Sequence, residues 1–187
     1  MKKKIALLLL CGITASAMAQ NQEDQPKNLQ ERRHELRLDA LEALIVPAID
    51  VSYEYVISKY SGVGATGWIS LDSDTDFIEG FQKFAITPYY RQYFFNKKEY
   101  GARGFYAEGL LQFAGGKDYD EYYTENDEFV SNENWTNFGI GFSLGQKWVS
   151  NNGFVLDINL GAGRYLGSTD TGPDAFFRGG VGVGYRF

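Results

Sequence analysis

Cysteine, histidine, basic charge and long apolar runs are the scarce features of this 187-residue chain. Its one cysteine is Cys11 and its one histidine is His34. Cys11 falls within an expected secretory signal, and removing that signal leaves no disulfide, no thiolate nucleophile and no cysteine metal site. No internal stretch approaches the ~20 apolar residues of a membrane helix, and mean hydropathy is −0.32. Eighteen lysines and arginines stand against 24 acidic residues. That balance argues against nucleic acid as a partner, because phosphate binding needs a basic face.

The first residues carry an export signal. Lys2, Lys3 and Lys4 precede the apolar run 5–10, and Ala17-Met18-Ala19 is a small-x-small cleavage site, so the mature chain is expected to begin at Gln20. Cys11 follows Leu10, which is bulky where a lipobox has a small residue. Cleavage leaves 168 residues, enough for one domain, with 15 basic residues against 24 acidic and a net charge of −9. Residues 20–33 are polar and read as a flexible periplasmic lead.

Beyond the lead, apolar and polar residues alternate with a period of two, the mark of strands with one greasy and one polar face. The last twelve residues, FFRGGVGVGYRF, set Phe177, Val181, Val183, Tyr185 and Phe187 against Arg178, Arg186 and glycines. Earlier segments of the same kind are 34–43, 48–57, 62–71, 84–95, 104–114, 135–149 and 154–166. Asn96 to Glu99 and Ser150 to Gly153 are tight-turn signals, whereas 72–83 and the acidic stretch 115–134 read as long loops. An even count of about ten-residue strands, joined mostly by alternating short and long connections, predicts an all-β fold. The expected architecture is an eight-stranded antiparallel transmembrane up-and-down barrel, closed by pairing the last strand with 34–43. A soluble lipocalin-like barrel would charge its exposed face; here the charges lie opposite the aromatics.

In that barrel Arg37, Asp39, Asp50, Glu54, Arg91, Glu108, Lys147, Asp157, Arg178 and Arg186 point into the lumen. Eight strands enclose a space that side chains fill, and buried charges must pair. A salt-bridged plug, a narrow polar conduit and a binding site all fit this composition. Arg178 and Arg186 are expected to reach inward to carboxylates such as Asp39, Glu54 or Asp157, and Gly139, Gly141, Gly180, Gly182 and Gly184 to make room for large partners such as Tyr89, Tyr106 or Trp68.

Catalysis has little to work with. Outer-membrane barrel enzymes generally rely on a histidine base, and His34 sits at the periplasmic rim. Glu54 and Glu108 could form an acid–base pair, but nearby arginines favour salt-bridging. A non-enzymatic role without cofactor is expected. Outside the barrel, Asp72, Asp74 and Asp76 alternate in one loop, and Asp118, Asp120, Glu121, Asp127 and Glu128 stand beside tyrosines in the next. Oxygen-rich clusters suit Ca²⁺, yet Phe77 follows Asp76 where a calcium loop needs glycine. Solubility, a loop cation site and a partner surface remain open readings, and no metal is assigned.

The segments ELRLDAL, DVSYEYVI, FAITPYYRQYFF, GFYAEGLLQF and FFRGGVGVGYRF resemble a family of small outer-membrane β-barrels. That family is common in Bacteroidota and loosely grouped with OmpA- and OmpW-like barrels, and the resemblance covers about residues 34–187. It implies a monomer in the outer membrane of a Gram-negative bacterium, in contact with lipid and lipopolysaccharide. It also implies insertion by the outer-membrane assembly machinery, with Val183, Tyr185 and Phe187 resembling the signal that machinery reads. The resemblance carries over no catalytic residue. A structural or surface-interaction role leads; a narrow pore or OmpW-like passage of small hydrophobic solutes is the alternative, and a lipid-modifying enzyme the second.

Overall fold

A computed structural model of the chain describes residue 29 and residues 31–41, 48–71, 82–94, 101–124, 127–166 and 172–187. The expected signal at 1–19, Cys11, and Asp72, Asp74 and Asp76 lie outside the described residues. Eight strands follow in chain order: β1 (His34–Asp39), β2 (Ala48–Ser58), β3 (Ser61–Ser70), β4 (Gln82–Tyr93), β5 (Gly104–Thr124), β6 (Asp127–Val149), β7 (Phe154–Tyr165) and β8 (Ala175–Arg186). Each pairs antiparallel with its neighbour, and β1 pairs with β8, so the sheet closes on itself. Closure pairs the strand edges that an open sheet would leave bare.

Alternation decides which way each residue faces. Thr87, Tyr89, Arg91 and Tyr93 of β4 are buried while Phe84, Ile86, Tyr90 and Phe94 are exposed. The same inside–outside division runs through β5, β6, β7 and β8, leaving an outer wall of Leu, Ile, Val and aromatic side chains. Leu160 and Phe177 on that wall are 73% and 87% exposed. No helix among the described residues is long and apolar enough to cross a membrane, which says nothing against crossing by strands.

Short connections lie at the end of the barrel that holds His34 and Phe187. Ser58 and Ser61 share a hydroxyl hydrogen bond of 2.7 Å across the β2–β3 turn. Gly153, at φ +101°, completes the β6–β7 turn with its amide on the Ser150 carbonyl at 3.0 Å. A side chain at this φ would be strained.

Three expectations need correction. First, β1 stops at Asp39 rather than running to residue 43. The Asp39 carboxylate accepts the Leu41 amide at 2.9 Å and starts a helical turn at residues 40–41, a local bond that competes with the strand ladder. Second, 115–134 is not a long loop. β5 and β6 continue as a paired ribbon from Lys117 opposite Asn134 to Thr124 opposite Asp127, with Tyr122 opposite Phe129. This register places Asp118, Asp120, Glu121, Asp127 and Glu128 at strand positions. Third, the lead's last residues are docked. Leu29 is buried with Val149 and Val155, and the Arg33 carbonyl accepts the Val56 amide at 2.7 Å.

Candidate functional site

Every strand except β3 contributes an ionised residue to a lumen network: Glu35 and Arg37 from β1, Glu54 from β2, Arg91 from β4, Glu108 from β5, Lys147 from β6, Asp157 from β7 and Arg186 from β8. These four carboxylates and four cations are each at most 2% exposed, and their charges sum to zero. The alternation of each strand delivers these side chains inward; barrel curvature then brings strands distant in sequence face to face.

Glu54 is the hub. Its Oε2 accepts Arg37 Nη1 at 2.9 Å and Arg91 Nη1 at 3.1 Å, while its Oε1 accepts Lys147 Nζ at 2.8 Å and the Tyr93 hydroxyl at 2.6 Å. Arg91 spans the lumen, donating also to Glu108 Oε2 at 2.5 Å and Asp157 Oδ2 at 2.7 Å. Its guanidinium lies 4.6 Å and 4.2 Å from the Tyr89 and Tyr106 ring centroids, within cation–π range. Glu35 collects Arg37, Lys147 and Arg186, the first two at 2.9 Å. Tyr106 donates to Asp157 at 2.8 Å and Ser143 to Glu108 at 3.0 Å. Desolvation is offset only because nearly every lone pair and proton here finds a partner.

Arg178 and Arg186 both meet lumen carboxylates, but other ones than Asp39, Glu54 and Asp157. Arg186 binds Glu35 and donates to the Gly101 and Ala102 carbonyls at 2.8 Å. Arg178 donates to Thr66 Oγ1 at 2.6 Å and lies 3.7 Å from Glu108. Register is the reason: Glu35 sits directly opposite Arg186 across the β1–β8 joint, whereas Asp39 is opposite Gly182. Asp39 is thus apart from the hub, its carboxylate over Gly180. The expected glycine–tyrosine fit also changes partners. Tyr89 lies across Gly64 and Tyr106 across Gly145, their direct cross-strand neighbours, while β8's Gly180 and Gly184 make room for Asp39 and Arg37.

Glu35 is the residue that reading the alternation left out of the lumen set, although it shares the face of Arg37. Its position at the start of β1 hid its reach to Lys147.

Seals lie on either side of the network. Toward the ribbon, Trp68, Tyr89, Leu110, Trp135, Tyr165 and Phe176 pack together, with Tyr165 and Phe176 rings 5.0 Å apart. Toward the opposite end, Val56, Tyr93, Ala102 and Tyr106 form a second cluster. Between the network and the first seal, Arg37, Asp39, Asp50, Asn159 and Arg178 line a polar cavity of about 30 Å³, room for about two waters.

The remaining candidates sit elsewhere. The His34 Nδ1 is 2.7 Å from the Tyr53 hydroxyl and its ring stacks on Phe187 at 5.9 Å, away from the network. Glu54 and Glu108 are both held by Arg91. Val183 and Tyr185 lie on β8 opposite Leu38 and Leu36, and Phe187 exchanges both backbone hydrogen bonds with His34. Among the described residues no group of three or more His, Cys, Asp or Glu is placed to hold a metal ion.

No protein-family model and no curated protein matches this chain. It is similar to the crystal structure of the N-terminal β-barrel domain of Pseudomonas aeruginosa OprF, with 14% identity, a TM-score of 0.49, and coverage of 83% of this chain and 98% of that chain. That is a likeness of fold, and it says nothing about activity.

Proposed function

We propose that the chain is a non-enzymatic outer-membrane β-barrel whose lumen is plugged, acting as a structural or surface-interaction element of the envelope. The observation that carries this reading is the neutral, fully buried charge network crossing the lumen from seven of eight strands. Around it, the apolar outer wall suits lipid, where a bare strand edge or exposed charge would be costly. Export through cleavage after Ala19, a Gram-negative source, a monomeric state and recognition of Val183, Tyr185 and Phe187 by the assembly machinery belong to the same proposal. So do contacts with outer-membrane lipid and lipopolysaccharide.

Purified protein in planar bilayers should give no steady single-channel steps. Reproducible steps would sink the plugged-lumen reading and favour the pore. The membrane assignment has its own check, a gel comparing cold and boiled samples beside cell fractionation. Identical mobility together with release into the soluble periplasm would count against a membrane barrel.

A second reading, passage of small solutes, draws on the polar cavity. Its lining includes Leu38 and Gly179 of the outer wall beside inward Arg178 and Asp50. The cavity holds about two waters, which is too small for a hydrophobic compound without rearrangement.

A further inference from the structure

β1 is the shortest strand, and it meets each neighbour over few residues, five register pairs with β2 and five with β8. The pairs with β8 run from Glu35–Arg186 to Asp39–Gly182, against eleven between β7 and β8. The residues just before β1 reach across the β1–β8 joint in both directions. Leu29 is 7% exposed and packs on Val149 and Val155, inward-facing residues beside the β6–β7 turn. Arg32 Nη1 donates to the Asn152 carbonyl of that turn and to the Tyr185 hydroxyl of β8, both at 3.0 Å, and its guanidinium lies 5.9 Å from the Tyr185 ring centroid. On the other flank, the Arg33 carbonyl accepts the Val56 amide of β2 at 2.7 Å. His34 then pairs with Phe187 through both backbone groups.

We propose that Leu29 and residues 31–33 form a strap that locks the β1–β8 joint and caps the lumen at the His34–Phe187 end. Its contacts with Tyr185, Asn152 and Val149 on one flank and with Val56 on the other exist together only when β1 and β8 are paired, so the strap spans the closed joint. With the strap in place, Leu29 covers Val155, which is 0% exposed. Released, it opens a water path to the layer where Glu35 holds Lys147 and Arg186. The inference deepens the plugged-lumen reading but does not stand or fall with it. The strap governs access from one end, whereas conduction is set by the network around Arg91.

The test uses the full chain in lipid nanodiscs carrying Cys11→Ser, so that an added cysteine is the only one. Val155→Cys reports on the strapped end and Ala114→Cys, also 0% exposed, on the opposite half of the lumen. A maleimide probe should modify Val155→Cys slowly. Adding Leu29→Asp should speed that reaction at least about tenfold, because labelling of a buried group follows the population of its open state. Arg32→Ala should act in the same direction, Leu29→Met should stay within about twofold of the parent, and Ala114→Cys should not respond. Unchanged labelling of Val155→Cys in both strap variants overturns the proposal. So does equal acceleration at both reporters, which signifies general loosening. If Leu29→Asp fails to fold by cold-versus-boiled gel mobility, Arg32→Ala decides the question alone.

Discussion

Replacing Glu54 by leucine is expected to cost the folded barrel about 3–5 kcal/mol, the penalty for removing one partner from a buried ionic group. Glu54 answers Arg37, Arg91 and Lys147 together with the Tyr93 hydroxyl. Its removal leaves four carboxyl-directed donors short of an acceptor and the eight-residue network with one excess positive charge. The remaining carboxylates are already engaged: Glu35 by three cations, Glu108 and Asp157 each by Arg91 and another donor. Relaxation within the lumen therefore recovers little. Glu54→Gln should cost less, since an amide oxygen still accepts, but should stay destabilised because the charge is lost. Urea unfolding in lipid vesicles, followed through tryptophan fluorescence, measures both. A Glu54→Leu loss under about 1 kcal/mol would show that the network is incidental to stability. Asp39→Asn provides the contrast: Asp39 lies away from the hub, so its change should remain within about 1 kcal/mol.

The second large effect concerns the joint. Gly184→Val should abolish the closed barrel, with loss of the fast-migrating band in unboiled samples. A Cβ at Gly184 would collide with the Leu36 carbonyl oxygen and lie 2.8 Å from Arg37 Cα, both atoms of the β1 backbone. Backbone in a paired strand cannot swing aside as a side-chain tip can. The cost is expected at or beyond the upper end of the ~1–3 kcal/mol typical of overpacking, at a joint held by only five register pairs. Gly67→Val and Gly109→Val are the matched controls. Both glycines face outward, with nothing within 4 Å of an added Cβ, and the variants should fold within about 0.5 kcal/mol of the parent. A folded, heat-modifiable Gly184→Val protein would show that β1 can shift away without opening the wall.

Much of the barrel is legible in the sequence. Phe84, Ile86 and Tyr90 outside with Thr87, Tyr89 and Arg91 inside follow from chain geometry alone, since successive strand residues point to opposite faces. Arg37, Glu54, Arg91, Glu108, Lys147, Asp157 and Arg186 are buried side chains at alternate strand positions for that reason. Boundaries were harder. β1 ends on a side-chain cap that Asp39 makes with Leu41, and β5 and β6 extend because Lys117–Thr124 finds a partner in Asp127–Asn134. A cap and a pairing are both competitions between alternatives, and composition does not rank them.

Face, then, is what the amino-acid order determined by itself: a period of two is local, and it needs only neighbouring residues. Partnership was decided by the tertiary structure. Lys147 reaches Glu54 across 93 positions of chain and Arg186 reaches Glu35 across 151, distances set by strand register and barrel curvature. The same holds for Leu29, which reads as part of a polar lead and becomes a cap only where the ends of β6 and β7 offer Val149 and Val155. Which charge meets which, and what covers the mouth, depends on closure, because a residue's partners across a barrel do not exist until its first and last strands pair.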